Sequence, residues 1–195
     1  METKNDFLEE EKREENRYKW KKDSAGKEFQ IYEIENAGLV LFAPWFPQLF
    51  SLLGILNPDK SAFIHPEAQS KAVFLLQAIL KEETSASRLV LNRILAGMNP
   101  NTALSSEIEL TEKDVQTVDS MRMGVLQNWP KMKNTSIEGF LQAFVRRKGI
   151  LEEQEDAWVL TVEPQGVDIL LDSLPWPFAV VKYRWMEKML KVEWR

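Results

Sequence analysis

Between Leu39 and Leu56 the chain reads LVLFAPWFPQLFSLLGIL, without a single charged residue. A stretch this apolar must leave water, either into a protein core or into a bilayer, whose hydrocarbon layer takes about 20 apolar residues in a helix. Pro44 and Pro47 stand near its start, Gln48 and Ser51 lie within it, and no basic cluster flanks it. Prolines three apart suit the entry of a helix better than a straight span. The segment is therefore expected to be a buried helix, and the chain is expected to have no membrane span.

The other 177 residues of the 195-residue chain are more ordinary. Apolar residues make up 44% and charged ones 28%, which fits one α+β domain able to bury a real core. A net charge of −5 argues against nucleic acid as a partner, because phosphate contacts need a basic face. Arg146, Arg147 and Lys148 form a basic spot at a predicted helix end, where compensation of the helix dipole explains them. There is no cysteine, so disulfides, thiolate metal sites and cysteine nucleophiles are excluded. The first residues, METKNDFLEEEKREEN, lack the apolar core of a secretory signal. Cytoplasmic location is the expectation.

Residues 1–27 form a charged arm, helical or disordered, with acidic residues leading and basic ones following. Residues 28–195 then make a single α+β domain, mainly α, with a possible sub-boundary near 134. Phe29, Ile31 and Ile34 mark an extended run. From Pro66 the stripe Ala68, Ala72, Leu75, Leu76, Ile79, Leu80 is helical. Ser85 or Ser87 is a cap for a helix carrying Val90, Leu91, Ile94 and Leu95, which stops at Gly97. Thr111 opens another helix with Val115, Val118, Met121, Val125 and Trp129 inward, ended by Pro130. Thr135 and Glu138 form a capping box for a helix that buries Phe140, Leu141, Phe144 and Val145 and stops at Gly149.

The period then changes. Trp158, Leu160 and Val162 alternate with Val159, Thr161 and Glu163, which signals a strand. Pro164 suits the first turn of a helix carrying Val167, Leu170, Leu171 and Leu174. Residues 178–183 are β-leaning, and Leu190, Val192 and Trp194 alternate again. The expected fold is a helical body of about five helices with a small C-terminal β-sheet.

Nothing in the pattern nominates chemistry. His65 is the sole histidine and precedes a proline; alone it makes neither a metal site nor a triad. Glu152, Glu153, Glu155 and Asp156 lack the spacing of a calcium loop and read as a solvated turn. Phosphate-cradling and nucleophile-elbow motifs are absent. No catalytic, cofactor or metal residue is expected, and the chain is not read as an enzyme. Tryptophan is abundant, with seven residues. Trp129 and Trp158 fall on inward faces. Trp176, Trp185 and Trp194 gather with Pro175 and Pro177, where they either line an interface or glue sheet to helices.

Several segments together carry a resemblance: IYEIENAGLVLFAPWFPQLFSLLG, LVLNRILAGM, the helix from Glu112 to Trp129, NTSIEGF, RKG, WVLTVE, DILLDSLPW, RWM and VEW. In this order they resemble the tape measure protein family of contractile injection systems, phage-tail-like particles of the antifeeding prophage and Photorhabdus virulence cassette type. The resemblance implies a structural or assembly protein incorporated into an injection particle, with baseplate, spike or inner-tube proteins as partners and no cofactor. The docking residues expected on this reading are Leu39, Phe42, Trp45, Phe46, Phe50, Trp176, Trp185 and Trp194. The alternative is an adaptor or effector-loading chaperone of the same apparatus, recruiting cargo with the charged arm. A ruler role rests on the resemblance alone, since all 195 residues in one helix would span only about 300 Å.

Overall fold

The computed structural model describes residues 18–22, 26, 28–82, 89–105 and 108–194. Most of the charged arm and the two serines proposed as caps lie outside these residues. Six strands form one sheet: β1 (Tyr18–Lys22), β2 (Glu28–Ile34), β3 (Gly149–Glu153), β4 (Ala157–Val162), β5 (Val180–Val181) and β6 (Met189–Glu193). Their order is β1-β2-β3-β4-β6-β5, antiparallel except for the parallel pair β4–β6. The expected C-terminal sheet is thus present and extended by an N-terminal hairpin. Residues 18–22, read as part of the arm, supply its edge strand.

Register sorts the side chains by face. Tyr32 pairs with Leu151, Leu151 with Leu160 and Leu160 with Val192, so all four share the face that packs on the helices. All four are buried. Ile150, Thr161 and Glu193 form a row on the opposite face and are exposed. Val159, expected outside by alternation, is buried, because β4 is central and its neighbours on that face cover it.

The apolar segment is not one α-helix. Residues Ala37–Trp45 form a 3-10 helix, and α1 (Phe46–Leu52) continues it. Every residue from Ala37 to Ala43 is buried. A nine-residue 3-10 helix is long for that geometry. Here its first seven residues are wrapped by protein, so packing rather than propensity holds it. No helix among the described residues is long and apolar enough to cross a membrane.

Helices α2 (Pro66–Ala78), α3 (Val90–Leu95), α4 (Glu112–Asn128) and α5 (Ile137–Phe140) complete the body. His65 begins α2 as its N-cap, the imidazole Nδ1 accepting the N–H of Ala68 at 3.0 Å. Arginines from elsewhere close the other end. Arg122 donates to the carbonyls of Ala78 and Ile79 at 2.9 and 3.1 Å, and Arg146 donates to Leu80 at 2.7 Å. Helix ends leave such carbonyls unpaired, and a cation there also meets the negative end of the dipole. Thr111 and Asp114 form the capping box of α4.

Several details depart from the sequence reading. Val115 is exposed on α4 (43%), because the buried stripe runs through Asp114, Val118, Arg122 and Val125 instead. Ser136, not Thr135, caps α5, and Glu138 turns to pair with Arg146. A π-turn over Leu141–Val145 follows, and the chain leaves it straight into β3, which the acidic run had concealed. The helix expected from Pro164 is a 3-10 helix, Gly166–Ser173.

Candidate interaction surfaces

The C-terminal segment after Ser173 lies across the apolar 3-10 helix as a strap. Its polar tips meet carbonyls that the helix itself cannot fully satisfy. Pro44 has no N–H to return to Leu41 three residues back, whereas the Ala43 carbonyl takes the Phe46 N–H and has a second lone pair to offer. Trp176 donates its indole N–H to the Leu41 carbonyl at 3.0 Å, and the Tyr183 hydroxyl donates to Ala43 at 2.5 Å. Trp185 donates to Leu95 at 3.0 Å. Burial pushes the Tyr183 phenol well above its ordinary pKa, so it remains a donor.

The eight expected docking residues therefore separate. Leu39, Phe42, Phe46 and Phe50 are core, with no exposed surface, and Trp194 is buried. In this fold these five form no surface, because each is turned into the core while Pro44, Trp45 and Gln48 make up the outer side of the same segment. Trp45, Trp176 and Trp185 are half-buried. Trp185 stacks on Tyr183 at 4.5 Å and meets Phe50 and Phe63 edge-on. Trp45 and Trp176 meet edge to face, their ring centroids 4.6 Å apart at 85°. Around that pair Pro44, Gln48, Pro175 and Pro177 are exposed.

One ion pair is fully interior. The Arg147 guanidinium grips both oxygens of Asp168, at 2.6 and 3.1 Å, and donates to the carbonyls of Glu163 and Ala143. Its charge lies 5.3 Å from the Trp194 ring centre. Burial raises the Asp168 pKa, but the Arg147 guanidinium and the Gln165 N–H outweigh it, and the carboxyl sits below its ordinary value. The basic spot read from sequence is thus structural: Arg147 is sequestered, and Arg146 is held by Glu82, Glu138 and Leu80.

A second feature escaped the sequence reading. A cleft of about 610 Å³ opens where β2 ends, β3 begins, β4 ends and α2 terminates. Glu33, Glu35, Glu82, Glu163 and Lys148 are among the described residues that line it. Asn36 lies in its wall and is 6% exposed. Among the described residues no group of three or more histidines or carboxylates could hold a metal ion.

The family model described as contractile injection system tape measure protein matches residues 1–194 of the chain. Neither a curated protein nor a solved structure matches it.

Proposed function

The chain belongs to the contractile injection system tape measure protein family, and we propose that it serves such a particle as an assembly component, docking onto a baseplate, spike or inner-tube protein through the face around Trp45 and Trp176. The observation that carries this reading is the geometry of that pair. Two indoles are locked edge to face, one by a hydrogen bond to the backbone, and both residues are only half-buried. A tryptophan whose rotamer is already fixed loses little entropy on binding, and tryptophan is enriched at interface hot spots. Exposed prolines on either side keep the surrounding backbone stiff.

The described residues contain no long rod. Their longest helix is α4, whose 17 residues extend about 26 Å. Docking, rather than spanning the tube, is the role this body supports.

The test changes the rim and leaves the indoles in place. Gln48→Glu and Pro177→Glu, singly and combined, alter exposed positions. The combined variant should keep its melting temperature within about 2 °C and be lost from purified particles when these are counted by mass spectrometry. Unchanged incorporation would refute the assignment of this face. Normal particles that lack cargo would move the assignment to an effector-loading adaptor.

A further inference from the structure

His65 is the sole histidine of the chain, and one of its nitrogens faces two partners that it cannot serve together. Its Nδ1 lies 3.0 Å from the N–H of Ala68, a group that only donates. To accept that bond Nδ1 must be bare, with the ring proton on Nε2. The same Nδ1 lies 3.1 Å from a carboxylate oxygen of Glu67, a group that only accepts. To serve Glu67 the nitrogen must carry a proton, and it then has no lone pair left for Ala68. The two contacts are alternatives separated by a single proton.

The surroundings let that proton in and give it a consequence. His65 and Glu67 are exposed, so the ring meets water without any opening of the fold. Ala68 is buried, at 2% exposed, so its N–H has little water to turn to once the cap is withdrawn. Pro66 has no N–H, and the Gln69 N–H returns to the His65 carbonyl at 3.2 Å, a backbone bond that does not depend on the state of the ring. Glu67 is the one ionic partner of the ring among the described residues. In the loop before the cap, Asp59 pairs with Arg184 of the strap at 3.6 Å and Lys60 is exposed. Farther along α2, Lys71 pairs with Asp114 of α4 at 2.7 Å.

We propose that His65 is a proton-operated cap. With the ring neutral, Nδ1 holds the Ala68 N–H and fastens the first turn of α2. With the ring protonated, Nδ1–H donates to Glu67, the Ala68 N–H is released, and the Gln69 bond alone holds the helix start. Imidazole is the side-chain group that ordinarily changes charge between pH 8 and 5, so mild acid operates the device. Phe63, two residues before the cap, packs on Phe50 and on Trp185 with ring centroids 5.5 Å apart in each case, so the turn that loosens adjoins an anchor of the strap. The cap is separate from the Trp45–Trp176 face, so either assignment can fail without the other.

The experiment follows the full-length chain, labelled with 13C and 15N, by NMR from about pH 8.5 to 5, the range that brackets imidazole titration. A single histidine gives a single set of ring signals. Long-range proton–nitrogen correlation should show the Nε2–H tautomer at the alkaline end. As the ring takes up its proton, the Ala68 amide proton should move upfield and the Glu67 carboxyl carbon should shift, both with the midpoint of the ring. The protection of the Ala68 amide against exchange should fall at least ten-fold relative to that of Gln69. His65→Asn, at an exposed position, keeps a capping acceptor and removes the titrating one. In that variant the Ala68 amide should hold still over the same range. A neutral ring with its proton on Nδ1, an Ala68 amide or a Glu67 carboxyl that ignores the titration of the ring, or an unchanged Ala68 response in His65→Asn would each overturn the proposal.

Discussion

The indole N–H of Trp176 ends on the carbonyl oxygen of Leu41, 135 residues earlier in the chain and 3.0 Å away. This bond and its counterpart from Trp185 to Leu95 fasten the C-terminal strap to the interior. Trp45 makes no indole hydrogen bond among the described residues, although it packs on the same ring. Replacing each tryptophan with phenylalanine should separate packing from hydrogen bonding. Trp176→Phe and Trp185→Phe should each cost about 1–3 kcal/mol, because a carbonyl loses its donor. Trp45→Phe should cost less than either. Urea unfolding of the three variants, with unchanged slopes, measures the difference.

Gly38 and Gly124 give opposite expectations for one substitution. A Cβ on Gly38 would stand 1.6 Å from the Phe144 carbonyl oxygen, a backbone atom that cannot swing aside. The 3-10 helix and the π-turn approach each other there because nothing projects from position 38. Gly124 lies within α4, and a Cβ on it meets nothing within 4 Å. Gly38→Ala should prevent folding or cost more than about 3 kcal/mol, on the scale of other severe core disruptions. Gly124→Ala should stabilise by about 0.5–1 kcal/mol through helix propensity and unfolded-state entropy. Thermal melts of both variants decide it.

These two glycines also show where sequence reading stops. Helices with a periodic stripe or a capping residue were legible, α2 by its stripe and α4 by Thr111, because amphipathic period and cap chemistry are local. β4 and β6 were legible through alternation. β3 was not: Gly149–Glu153 has one clear apolar anchor, Leu151, and becomes a strand only by pairing with β2 on one side and β4 on the other. Four of the expected docking residues are buried for a related reason. Leu39, Phe42, Phe46 and Phe50 are conspicuous because the segment is apolar throughout, and that same uniformity is the mark of burial. Charged residues gave the reverse error. Arg147 reads as compensation for a helix dipole until Asp168, 21 positions later, is brought beside it.

Arg147 and Asp168 should be worth more as a pair than either is alone. Removing one partner leaves the other charge in the interior, which typically costs about 3–5 kcal/mol. Arg147→Met and Asp168→Leu should each fall in that range. The combined variant should cost less than their sum, because no unpaired charge then remains, although the carbonyls of Ala143 and Glu163 still lose a donor. A double-mutant cycle by urea unfolding reads the coupling directly. Additive losses would mean that the two residues act through packing rather than through their charges.

The same pair, together with Asp114, sets how the protein responds to acid. Burial raises the Asp114 pKa, but the Lys71 ammonium at 2.7 Å and the Thr111 hydroxyl and N–H outweigh it, and the carboxyl lies below 3.8. Asp168 is lowered likewise. Both groups therefore bind a proton less readily folded than unfolded. The stability they contribute is present above the unfolded value of 3.8 and is lost as pH falls through their folded values. Tyr183 acts at the other end. Its phenol is raised above 10.0, so above that pH the unfolded chain ionises first and stability declines again. Urea midpoints should accordingly be flat from about pH 5 to 9 as far as these groups are concerned, and fall on both sides. Asp168→Asn should be weaker than the parent chain at pH 7, and the gap should narrow as pH falls below 3.8, where the parent progressively loses its advantage. Tyr183→Phe should lose the alkaline decline. A constant gap between Asp168→Asn and the parent down to pH 2 would show that the aspartate stabilises through shape rather than through its charge.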